Sequence, residues 1–178
     1  GGGGGGAPGA TWIGCANLVR NLGNPAFYLE CMQFMFAPFP QSGDPLRDGD
    51  PSRAADILNN SWGCPPAVEG CAPQVFGPAV AALTQAGIFV VVSTGNDGPR
   101  CTSVHSPPAI YSEVWSVGAI DEAGDLASFS STGPVTVDGS GRTKPDMLAP
   151  GVDVLSALPG SGYGVNSGTS MAGPHLAG

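Results

Sequence analysis

Apolar positions in this chain fall into short runs of two periodicities, separated by clusters of Gly, Pro, Ser and Asp. Thr11 to Val19 (TWIGCANLV) reads as a buried strand after the turn at Pro8 and Gly9, and Ala26 to Ala37 (AFYLECMQFMFA) spaces its apolar residues as a helix does. Turn formers dominate Pro38 to Pro51, which reads as an exposed connection. Ile57 to Trp62 then opens a second strand, Val75 to Ala86 a helix stopped by Gly87, and Ile88 to Ser93 a third strand. The run IFVVV has no polar alternation, as expected of a parallel strand covered on both faces. Strand, helix and strand at this spacing predict a right-handed crossover unit. Further strands are expected at Val114 to Ile120, Asp146 to Ala149 and Val152 to Ala157, after which Gly164 to Gly168 leads into a helix opening at Ser170. The fold class predicted is α/β, three layers with a mainly parallel sheet flanked by helices.

Gly1 to Gly6 has no side chain to pack and the most backbone entropy to lose. It is expected to be a flexible lead or an artefact, and the folded unit is assigned to residues 7–178.

Composition narrows the function. A chain of 178 residues, 42% of them apolar, has material for one sizeable core. A formal charge of -8 and a pI near 4.3 offer little to phosphate backbones or anionic lipid, so neither nucleic acid nor membrane is expected as a partner. The longest apolar run, Ile88 to Val92, is strand-sized and far short of the roughly 20 residues that span a bilayer. Five cysteines and few lysines in a Gly-, Pro- and Ser-rich chain point to a secreted or cell-surface protein. Cys64 with Cys71, and Cys15 with Cys31, are placed either to form disulfides or to sit as buried thiols, and Cys101 is the odd one out. No second CxxC-type pair or nearby His completes a tetrahedral zinc set, so no metal is assigned.

In parallel α/β sheets, chemistry collects in loops beyond the carboxyl ends of the strands. Three such segments stand out: Asn60 to Gly63, Ser93 to Gly98 and Gly168 to Ser170. A serine in the first turn of a helix has free N–H groups and the positive end of the helix dipole beside it, which favours an oxyanion. Position alone favours Ser170 or Thr169 as a plain N-cap over a catalytic role. The pattern nearly matches the nucleophile elbow G-x-S-x-G, but Ala172 stands where its second Gly belongs. Asn96, between Gly95 and Gly98, is placed to donate into a cleft, although Asn beside Gly is also common turn chemistry.

Taken in order, NSWG, VVVSTGNDG, FSSTGP, KPDMLAPG and GTSMAGPHLAG resemble the subtilisin-like serine endopeptidases, the subtilases of peptidase family S8, over nearly everything after the glycine run. WIGC and SWGCPPAVEGC resemble the bacillopeptidase F branch of that family. The resemblance implies an endopeptidase acting on protein or peptide substrates. It makes Ser170 the nucleophile that becomes acylated and Asn96 the oxyanion donor, helped by the Ser170 N–H. Ser61, Trp62 and Gly63 would pair with the substrate main chain as an added strand. Ser93, Thr94 and Gly95 would wall the pocket for the side chain preceding the cut. The chemistry needs no cofactor. Structural calcium is frequent in the family and acidic loop residues such as Asp121 suit it, yet no calcium-loop pattern occurs and no site is assigned.

The sequence also departs from the family. The triad runs Asp, His, Ser along the chain, and neither of the first two motifs is present. His105, in VHSPPAIY, is read as a loop residue and not as the base, and Asp146 as structural. His175 is expected to point into the body of the domain, because i and i+5 do not share a helix face. The triad Asp and His are therefore expected upstream. The chain reads as the carboxyl-terminal part of a catalytic domain truncated at both ends, poorly stable and inactive by itself, a monomer when complete. The alternatives are a non-catalytic subtilase relative that binds extended peptides, or an α/β-hydrolase with its Asp and His downstream.

Overall fold

A computed structural model describes residues 6–178; of the glycine run, only Gly6 is therefore described. Helix α1 (Pro25–Phe36) starts where Asn24 Oδ1 accepts the Phe27 N–H at 3.0 Å, with Pro25 in the first turn, and buries Tyr28, Cys31, Met32 and Met35. Strand β1 (Ile57–Asn60) is followed by the short α2 (Pro66–Glu69), helix α3 (Gly77–Gln85) and strand β2 (Phe89–Ser93). Strands β3 (Trp115–Ile120) and β4 (Met147–Pro150) complete a four-stranded parallel sheet of order β1-β2-β3-β4.

The IFVVV run behaves as its composition requires. Val90 and Val92 face a core with Tyr28 and Met32 of α1 and Val80 and Leu83 of α3. Val91 faces the other way, with Val117, Ala119 and Ala149, and this second face is covered by α4 (Thr169–Ala177) through Ala172 and Leu176. All three valines are buried, which contributes about 2 kcal/mol each. The result is the expected three-layer α/β arrangement.

Three expectations need correction. No strand forms over Thr11 to Val19: Trp12 is 88% exposed and the segment's strand-type pairing is an isolated bridge from Val19 to Leu22. Its composition suits a strand, but no sheet edge receives its backbone, and a disulfide from Cys15 to Cys31 ties it to α1 instead, with Cα atoms 5.5 Å apart. The strand expected over Val152 to Ala157 forms, but the stretch from Gly164, expected only to lead into the last helix, begins inside a further strand. Strand β5 (Val154–Ala157) pairs antiparallel with β6 (Tyr163–Asn166), because Gly160 and Gly162, both at positive φ, turn the chain back between them. His175 is exposed, its Nδ1 2.9 Å from the Met171 carbonyl. Helical rotation turns Thr169, Ala172, Gly173 and Leu176 towards the sheet and leaves His175 to the side.

Cys64 and Cys71 also form a disulfide, and Cys101 is free and exposed. At the end of β1, an outer strand of the sheet, the buried Asn60 Nδ2 has no partner among the described residues. Asp146 is structural in its contacts. Its Oδ2 accepts from the Ser116 N–H at 2.7 Å, the Ser116 hydroxyl at 2.8 Å and Lys144 Nζ at 2.6 Å, and Lys144 also donates to the Val114 carbonyl at 3.0 Å. The Lys144 side chain is only 2% exposed, so its ammonium depends on these acceptors.

Burial acts to raise the Asp146 carboxyl, but hydrogen bonds from Lys144 and Ser116 outweigh it and hold the group below its ordinary value. A lowered carboxylate adds stability above its unfolded pKa, and that stability is lost as pH falls through the folded value, in acid below about pH 4. Asp146→Asn should therefore cost about 3 kcal/mol at neutral pH by stranding the buried ammonium. Urea unfolding of the full-length protein is expected to show that deficit at pH 7 and a narrowing gap as pH drops below about 4.

Candidate active site

The first turn of α4 is locked onto the ends of β1 and β2 by a set of short polar contacts. Asn96 Oδ1 accepts the Thr169 N–H at 2.9 Å and the Thr169 hydroxyl at 3.0 Å. Because a backbone N–H can only donate, this contact fixes the amide orientation and leaves Asn96 Nδ2 as a donor with no partner among the described residues. Ser93 Oγ donates to the Thr169 carbonyl at 3.1 Å, and the Gly95 N–H to Thr169 Oγ1 at 3.3 Å. Gly173 leaves room for the Asn59 side chain. A Cβ there would stand 2.9 Å from Asn59 Oδ1, so a larger residue would push aside the Asn59 amide, whose Nδ2 donates to Ser61 Oγ.

Ser61 and Ser170 hold one another. Ser170 Oγ donates to the Ser61 carbonyl at 3.3 Å, and Ser61 Oγ donates to the Ser170 carbonyl at 3.1 Å while accepting from Asn59 Nδ2 at 3.1 Å. Pro174 explains the second bond. In an unbroken helix the N–H of residue 174 would donate to the carbonyl of residue 170, but proline has no N–H, so that carbonyl is left for Ser61. The Ser170 N–H, in the first helical turn, makes no backbone hydrogen bond among the described residues.

One cavity of about 460 Å³ is lined by every residue given a catalytic or substrate-binding role from the sequence: Ser61, Trp62, Gly63, Ser93, Thr94, Gly95, Asn96 and Ser170. Trp62 stacks on Tyr28 at a centroid distance of 3.8 Å and an interplanar angle of 12°. Tyr28 donates to Glu69 Oε2 at 2.8 Å, and Glu69 Oε1 accepts the Gly23 N–H at 2.8 Å. Burial, followed by the Glu69 contact, pushes the Tyr28 phenol well above its ordinary value, so it stays a donor. Trp62 and Gly63 make no backbone–backbone hydrogen bonds among the described residues, which leaves that stretch open to a further strand. Ser93 and Thr94 are buried with their hydroxyls committed to the Thr169 and Val117 carbonyls, so they shape the wall more than they offer polar groups.

Neither histidine hydrogen-bonds Ser170 among the described residues: His105 contacts Ser106 and Asp97, and His175 the Met171 carbonyl. His105 does sit in a loop as expected, but it lines the same cavity as Ser170. The sequence reading missed this, along with the parts played by Thr169, Asn59 and Pro174. Only Pro174, four residues after Ser170, carried a local signal.

The subtilase family model matches residues 1–178. The chain belongs to the subtilase family. Among its relatives, Bacillopeptidase F of Bacillus subtilis (strain 168) is 36% identical over 174 residues, 96% of this chain. Thermophilic serine proteinase of Bacillus sp. (strain AK1) is 40% identical over 124 residues, 70% of the chain, and Subtilisin of Bacillus pumilus 38% over 128 residues, 71% of the chain. The chain spans 11%, 27% and 42% of the lengths of these three relatives. No described helix is long and apolar enough to cross a membrane.

Ser61→Ala should destabilise the fold by about 1–2 kcal/mol, because it orphans the Ser170 carbonyl. A double-mutant cycle with Pro174→Ala checks the cause: the restored N–H at residue 174 can take that carbonyl, so the cost of losing the Ser61 hydroxyl should fall.

Proposed function

We propose that the protein carrying this chain is a serine endopeptidase with Ser170 as its nucleophile. The observation that carries the reading is the Asn96 amide: its oxygen is tied to Thr169, so its Nδ2 is held free beside the turn that bears Ser170. A carbonyl attacked by Ser170 Oγ would develop negative charge, and Asn96 Nδ2 and the Ser170 N–H are two preorganised donors for it. Collapse of that adduct would break the C–N bond and release the amine, which takes the proton lost from Oγ by way of the base, and water would then hydrolyse the acyl-enzyme and free Ser170. The peptide would lie as an extra strand along Ser61 to Gly63, with the side chain preceding the cut inside the cavity walled by Ser93, Thr94 and Gly95.

Ser170 donates to the Ser61 carbonyl at 3.3 Å and to no imidazole. On this reading the base and its orienting acid come from residues outside this chain. The chemistry requires no metal or cofactor. Two disulfides suit an oxidising compartment, in keeping with secretion or display at the cell surface.

The test is fluorophosphonate labelling of a longer natural polypeptide containing this chain, with the modified peptide mapped by mass spectrometry and residues 1–178 run alongside. Label at Ser170 in the long form only is the expected result. If a folded long form takes no label, the peptide-binding, non-catalytic reading replaces this one. In the labelled form, Asn96→Ala should lower kcat by about a hundredfold or more, the loss typical of removing one oxyanion donor, subtilisin's included.

A further inference from the structure

The cavity beside Ser170 contains a charge that the steps above leave unused. Asp97 directly follows Asn96, and its N–H donates to Ser131 Oγ at 3.0 Å. Its carboxylate accepts no hydrogen bond among the described residues and folds back over the Gly95 wall, Oδ2 standing 3.7 Å from where a Cβ on that glycine would be. His105 Nε2 lies 3.6 Å from the same oxygen, beyond hydrogen-bond range. The other imidazole nitrogen is 3.0 Å from Ser106 Oγ, and Ser106 closes the cavity towards Gly63, its Cβ 3.5 Å from the position of a Gly63 Cβ. The Asp97 and His105 side chains are 62% and 41% exposed, so both stay open to a ligand, and no Lys or Arg lines the cavity among the described residues.

We propose that this cavity selects a lysine or arginine side chain of an extended peptide, its cationic head group reaching Asp97 beside His105 and Ser106. The proposal deepens the peptidase reading and rests on it for the position of the cut. A cation supplies the donors that the Asp97 carboxylate lacks, and the Ser106 hydroxyl can accept one of its remaining N–H bonds. An apolar side chain would strip water from the carboxylate and return nothing. An anionic one would meet a like charge. The formal charge of -8 over the chain also favours the approach of cationic peptides.

The experiment uses the longer natural polypeptide and one peptide series that differs only at the residue before the cleaved bond: Arg, Lys, Gln, Leu or Glu. Cleavage sites are mapped by mass spectrometry. Arg and Lys are expected to exceed Gln in kcat/KM by about tenfold or more, and Asp97→Asn to lower the Arg-to-Gln ratio by about tenfold. The same peptides are titrated against the Ser170→Ala form by fluorescence anisotropy, so that charge ranking is read without turnover. A preference for Glu or Leu, or an Arg-to-Gln ratio unmoved by Asp97→Asn, overturns the proposal. Absent cleavage with Arg still bound above Gln sinks the peptidase reading and leaves the cavity assignment standing; no ranking in either assay overturns the assignment.

Discussion

Everything in the candidate site depends on the first turn of α4 lying directly on the carboxyl ends of β1 and β2. That approach is held by polar contacts more than by a steric fit. Gly173 removes the side chain that would collide with Asn59, and Thr169 engages Ser93, Gly95 and Asn96 through its carbonyl, hydroxyl and N–H. The turn is therefore held from two strands at once, and Ser170 takes its place from that grip more than from its own contacts. The free donor of Asn96 is a by-product of the same contact, since using the amide oxygen structurally leaves the amide nitrogen for chemistry.

The sheet beneath is rigid for an ordinary reason. Alternate valines of β2 enter two separate cores, so a one-residue slip would exchange both faces and bury nothing properly. At the opposite side of the sheet the polar set of Lys144, Asp146 and Ser116 fastens the loop before β4 to β3, adding direction where apolar packing alone would tolerate sliding. On the open flank, α1 and the Cys64–Cys71 loop converge on Trp62 through Tyr28 and Glu69, so the stretch available to an incoming strand is braced from behind.

Local pattern carried the regular elements well. Helix α1 was legible from the helical spacing of its apolar residues, and strands β2 and β3 from short, largely apolar runs bounded by turn residues. TWIGCANLV failed for want of a partner: strand composition describes a residue's preference, and a strand exists only where another backbone completes its hydrogen bonds. VDVLSA forms the strand its composition predicts, but its antiparallel partner over Tyr163 to Asn166 was not legible, because the turn that pairs them rests on the backbone conformation of the glycines between. His175 was misdirected by spacing from Ser170, when the relevant reference was the helix face that contacts the sheet.

The sequence by itself determined the α/β class, the family, and eight of the residues that line one cavity, because strand ends and helix starts are local features and the motifs carry them in order. It did not determine that Ser61 would take the carbonyl Pro174 leaves free, that Thr169 would orient the Asn96 amide, or that Asp97 and His105 would face each other in the same cavity. Those pairings join residues far apart in the chain, and a hydrogen bond of about 3 Å exists only once the packing of glycine-bearing helix on sheet has fixed both partners.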